Sequence, residues 1–206
     1  MDKFHQDMKR HPLTLAYANC INELSPCKEP MNIDSIRAME NEILNIFTQQ
    51  NTDLKKDFID YSSLSSTQEV DHIGLNTIGM LADRLSILCI RLYMNSENIL
   101  TSEGLSDNQI IDIERALTVA KAGTSSTFNK MTIMQDTYMP RSFSEAVMRL
   151  AATNLLLWLA QDVLYLRGPE SLPDEELRKY IIYFAEKNIA RNKMIALSNN
   201  LFWDIG

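Results

Sequence analysis

The sequence predicts an all-α protein, a single domain forming a bundle of about six helices, from three observations. Apolar residues recur at three- and four-residue intervals over most of the 206 positions. Capping and breaking residues stand where such runs begin and end. Few residues remain for the strict alternation of a half-buried strand. The first two predicted helices and the last two share a plan: a shorter apolar helix, a proline-containing turn, then a long helix. Two related helical halves would produce this plan, and so would the common grammar of helix hairpins.

After an amino-terminal tail over 1–12, the first helix is predicted at 13–24, from Pro12 to the stop at Ser25–Pro26. The second, 33–61, keeps Ile36, Met39, Ile43, Phe47, Gln50, Leu54, Phe58 and Tyr61 on one face, and Ser62 to Gln68 reads as a connector. The third, 76–99, carries Ile78, Leu81, Ala82, Leu85, Leu88, Cys89 and Leu92 as an apolar ladder. Met80, Ile87, Ile90 and Met94 add a second apolar surface, so this helix is expected to be covered on two sides.

Ser106 and Gln109 form a capping-box pattern that starts a fourth helix, 107–138, with a break at Gly123 to Thr127. Ser142 and Glu145 form another and start the fifth, 143–167, which Gly168–Pro169 ends. The run from Leu150 to Gln161 is apolar nearly all round yet shorter than the roughly 20 residues a bilayer requires, so it is placed at the centre of the bundle. The sixth helix, 173–203, opens on Asp174, Glu175 and Glu176, whose charges complement the helix dipole.

Composition narrows the function. A 45% hydrophobic content supports a substantial core, and a net charge of −7 disfavours a nucleic-acid partner, because phosphate tracking needs a dense basic patch. Lys55–Lys56 and Arg178–Lys179 read as solvated pairs. Cys20, Cys27 and Cys89 form no CxxC pair and read as reduced thiols of a cytoplasmic protein, and the amino terminus lacks the apolar segment of a signal peptide. A Cys20–Cys27 disulfide is sterically conceivable across the turn.

Candidate chemistry is sparse. Glu69 and His72 have the ExxH spacing of a diiron ligand pair but lack the second motif and the extra carboxylates, so no metal is expected. No phosphate-loop, dinucleotide or nucleophile-elbow motif occurs, so neither a cofactor nor a catalytic residue is assigned. The acidic clusters Glu40–Glu42, Asp112–Glu114 and Asp174–Glu176 read as solvated faces or dipole partners. The polar residues embedded in apolar helices stand out more: Asp83 and Arg84, Asn154, Gln161 and Asp162, then Asn188, Arg191 and Asn192. Buried, they must be paired. They form either a network that fixes helix register or, with Asp83, Arg84, Asp162, Asn188, Arg191 and Asn192 as its residues, a ligand site between helices.

The segment Asp83–Arg84–Leu85–Ser86–Ile87–Leu88 resembles the D-R-L-S-I-L helix of an uncharacterised bacterial family, a domain of unknown function. Leu157–Trp158 with Gln161–Asp162 is similar to that family's Leu-Trp helix with an acidic pair. Asn188 with Arg191–Asn192, and Gln49–Gln50 with Asp53, are similar to its Gln-Gln-Arg-Asn-Asp helix. Gln161 stands where the family has an acid, Leu159 where it has a histidine, and the Trp and Arg-Asn elements follow the DRLSIL helix where the family would have them precede it. The resemblance implies a helical fold and no activity.

The expectation is therefore a helical module that binds or assembles with protein, either a foreign partner or, as a homodimer, itself. The homodimer would use a helix face if the third and fifth helices cannot both be covered within one chain. Met131, Met134 and Met139 are candidates for an adaptable apolar surface. The alternative is a small-ligand-binding or hydrolytic helical-bundle enzyme with a polar interhelical pocket.

Overall fold

A computed structural model describes residues 12–24, 31–50, 53–56, 78–94 and 138–203. The described chain is all-α and forms a helical bundle without a strand: α1 (Pro12–Glu23), α2 (Ile33–Thr48), α3 (Ile78–Met94), α4 (Phe143–Arg167), a 3-10 turn (Pro169–Ser171) and α5 (Asp174–Trp203). The predicted fourth helix lies outside these residues except at Tyr138, which is not helical. Ser106, Gln109, the Gly123 break, Met131, Met134, Glu69, His72, Cys27 and the Asp112–Glu114 cluster also lie outside them.

α4 is the centre, packed by α2, α3 and α5. Its residues from Leu150 to Leu157 are buried without interruption, because a helix walled on three sides keeps no polar face. Ser142 caps its first turn by accepting from the Glu145 amide at 3.2 Å, and the Glu145 carboxylate reaches back to the Arg141 amide at 2.6 Å. Gly168 ends it at φ 76°, a conformation that favours glycine. The whole helix, at 25 residues, meets the length and composition of a membrane span, which the Leu150–Gln161 run taken alone does not. In the fold, 72% of its most apolar window is buried.

The second helix also departs from expectation, since α2 stops at Thr48 instead of continuing to residue 61. Thr48 Oγ1 donates back to the Leu44 carbonyl at 2.8 Å. In sequence, Asn51, Thr52 and Asp53 follow, residue types whose side chains compete for backbone hydrogen bonds and disfavour a helix interior. Leu54 beyond the break is nonetheless buried, its amide donating to Ser144 Oγ at 2.9 Å.

α2 and α5 run in the same direction, with Asp34, Arg37 and Glu40 facing Lys179, Glu186 and Lys187. Glu40 and Lys179, expected on solvated faces, thus pair across helices. Asp34–Lys179 and Arg37–Glu186 are exposed, so solvent screens them and they add little to stability. Glu40–Lys187 is better shielded, and Lys187 and Arg37 both lie over the buried ring of Tyr183.

Candidate functional site

Three of the embedded polar residues, Asp83, Asn154 and Arg191, meet where α3, α4 and α5 cross. Asp83 is 6% exposed, and its carboxylate accepts from Arg191 Nε at 2.7 Å, from Arg191 Nη2 and from Asn154 Nδ2 at 2.9 Å. Asn154 Nδ2 also donates to Ser86 Oγ at 2.7 Å, and that hydroxyl donates to the Asp83 carbonyl at 2.7 Å. The cluster ties three helices together through one carboxylate. Its Arg–carboxylate fork is bidentate, the geometry that gains most from a planar guanidinium.

The register behind this pair comes from Gly79. A Cβ there would stand 2.0 Å from the Ile195 carbonyl oxygen, so α3 and α5 touch backbone to backbone. One turn further along α3 is Asp83, and one turn back along α5 is Arg191. The two helices therefore run antiparallel through this contact, and the close approach at Gly79 brings the carboxylate within reach of the guanidinium.

Of the other predicted site residues, Arg84 is half-buried on α3. Asp162 lies half-buried on α4, where burial pushes its carboxyl above the usual range against a hydrogen bond from Trp158 that lowers it. Gln161 is exposed. Asn188 and Asn192 are exposed on α5, and Asn188 Nδ2 donates to its own helix at the Phe184 carbonyl, 2.8 Å away. The reason is angular. Positions 188 and 192 are only about 40° apart around the helix, whereas 191 is turned about 60° and 100° from them, toward α3. Ser86 was not singled out from sequence, although its place three residues after Asp83 puts both on one helical face.

The hydrogen bond to Asp83 holds the Arg191 guanidinium above its ordinary value, with burial pulling the other way. The Arg191 side chain is 29% exposed and that of Asp83 8%, so the pair is open to water on the arginine side only.

Cys20 and Cys89 are free and buried, and burial pushes both thiols from 9.0 up to about 12. Tyr17 and Tyr183 are likewise raised, again chiefly by burial. A folded-state value above the unfolded one means stability is fully present below the unfolded value and lost as pH rises through the folded one. The urea midpoint is therefore expected to hold steady from pH 7 to about 8.5 and to fall between about 9 and 12. In a Cys27→Ser background at pH 8, a thiol reagent should label native protein slowly and unfolded protein quickly; equal rates would show that the thiols are accessible.

No protein-family profile, curated protein or solved structure matches the chain.

Proposed function

We propose that this protein is a binding or assembly module, cytoplasmic, whose partner is protein, and that the Asp83 network serves its architecture. The observation that supports this reading most is the outer face of α5, where Ile181 is 61%, Ile182 45% and Ile189 41% exposed on a single helix. Large apolar side chains left exposed on one helix are candidates for a partner's contact. The bidentate pairing of Asp83 and its bonds from Asn154 support a structural role for the network. The buried thiols of Cys20 and Cys89 suit a reducing compartment.

Affinity capture from native lysate with quantitative mass spectrometry tests the reading. Wild type should retain a defined protein companion, either foreign chains or untagged copies of itself. Ile181→Glu/Ile189→Glu should lose that companion while keeping its circular dichroism and melting temperature. An identical set of captured proteins from both would reject the reading.

The rival is a ligand-binding or hydrolytic helical-bundle enzyme built around Asp83, Arg84, Asp162, Asn188, Arg191 and Asn192. It draws on the partial exposure of Arg191, which leaves guanidinium N–H groups facing water beside a buried carboxylate.

A further inference from the structure

α4 and α5 form a hairpin that is joined at one end by the turn through Pro169–Ser171 and open at the other. At the open end the first residue of α4 meets the penultimate residue of α5, with the rings of Phe143 and Phe202 edge to face, 5.1 Å apart. A helix leaves its last four carbonyls without a partner of its own, so the end of α5 is where fraying begins.

Residues 53–56 lie across this open end, 54–56 as a single helical turn. Leu54 is 0% exposed, and its amide donates to Ser144 Oγ, in the first turn of α4, at 2.9 Å. The next residue, Lys55, read from sequence as solvated, donates from Nζ to the Leu201 carbonyl at 3.2 Å. That carbonyl is among the four that α5 cannot satisfy, and a cation suits the negative end of the helix dipole. Asp53 Oδ1 accepts from the Lys56 amide at 3.4 Å, which closes the turn.

We infer that residues 53–56 are a latch: they and the last turn of α5 open and close as one unit, and opening uncovers the buried side chains of Leu54 and Phe143. The coupling runs both ways. Leu54 and Lys55 are consecutive, so lifting Leu54 from its seat carries the Lys55 ammonium away from Leu201. Conversely, unwinding the last turn of α5 withdraws the carbonyl that Lys55 holds and takes Phe202 off Phe143, the neighbour of Ser144. Neither side can leave with the other's contacts intact.

The rest of the bundle need not follow. Leu201 lies about 15 Å along α5 from Arg191, so the latch can open while the bonds of Asp83 stay closed. One leucine and two hydrogen bonds seat these residues, whereas α4 is buried without interruption from Leu150 to Leu157. A unit with so few contacts opens sub-globally, at a lower free energy than the core.

Native-state hydrogen exchange of the full chain, read amide by amide by NMR in low urea, tests the latch. The amides of Leu54, Leu201 and Phe202 should share one opening free energy, below that of Leu155 and Leu156. They should also share one urea dependence, distinct from zero because apolar surface is exposed on opening. Two substitutions are each read at the partner they do not bond. Ser144→Ala should speed exchange at Leu201 and Phe202, and Lys55→Met should speed it at Leu54, each roughly fivefold, the worth of one typical hydrogen bond. Ser171 and Leu172, at the joined end of the hairpin, should exchange as in wild type. Effects confined to the directly bonded partner would overturn the inference, as would an equal rise at Ser171 and Leu172. Unequal or vanishing urea dependences at Leu54 and Leu201, or opening only together with Leu155 and Leu156, would overturn it as well.

Discussion

Arg191→Met is expected to destabilise the fold by about 3 kcal/mol, the low end of the cost of removing one partner from a buried ion pair, because Arg191 itself keeps some contact with water. For a domain of this size that lowers the melting temperature by roughly 6–12 °C. The cause is what remains. The Asp83 carboxyl would be left at 6% exposure without its bidentate partner, keeping the hydrogen bond from the Asn154 amide. Asp83→Leu/Arg191→Met should recover most of the loss, since neither charge is then stranded and Asn154 still donates to Ser86 Oγ. Urea unfolding of the single and double variants reads this directly. A single variant within about 0.5 kcal/mol of wild type would mean that Arg191 is not holding the fold, and would move the balance toward the ligand-site reading.

Gly79→Ala should have a comparable effect with the opposite sign from its helix propensity. Alanine is favoured over glycine by about 1 kcal/mol in an open helix. Here the added Cβ meets the Ile195 carbonyl oxygen at 2.0 Å and its carbon at 2.9 Å, both backbone atoms of a packed helix that cannot rotate away. Separating α3 from α5 to admit the methyl should cost about 3 kcal/mol. It should also lengthen the Asp83–Arg191 contact one turn away. A double-mutant cycle between Gly79→Ala and Arg191→Met should therefore show coupling above about 0.5 kcal/mol. Additive effects, or a stabilised Gly79→Ala, would contradict the close crossing.

Much of the fold was legible because its signals are local. The Ser142–Glu145 cap and the Gly168 stop bound α4 at the predicted residues, since both ends are set by side chains within a few positions of the helix. α2 ends earlier than the spacing predicts because Leu54 continues the apolar pattern, and spacing alone does not register that Asn51, Thr52 and Asp53 are poor residues for a helix interior. The apolar character of α4 from Leu150 to Leu157 did indicate a central position, because only a helix walled by neighbours can hide every face.

The candidate site was legible by residue type and not by arrangement. Asp83, Asn154 and Arg191 stand out as polar residues in apolar helices, but Asp162, Asn188 and Asn192 carry the same signature and do not join them. Asn188 bonds within its own helix and Asp162 is engaged by Trp158, distinctions that periodicity does not encode.

The sequence by itself determined that the chain is helical, where α1, α4 and α5 begin and end to within a residue, and which polar groups would need partners if buried. These follow from propensity, capping and the 3.6-residue period, all of which act over one or two turns. Only the tertiary structure decided that α3 and α5 meet at Gly79, that Arg191 rather than its exposed neighbours reaches Asp83, and that Ile181 and Ile189 stand exposed on α5. Those outcomes depend on the distance and angle between helices more than a hundred residues apart, set by packing many side chains at once, and no short stretch of chain contains that information.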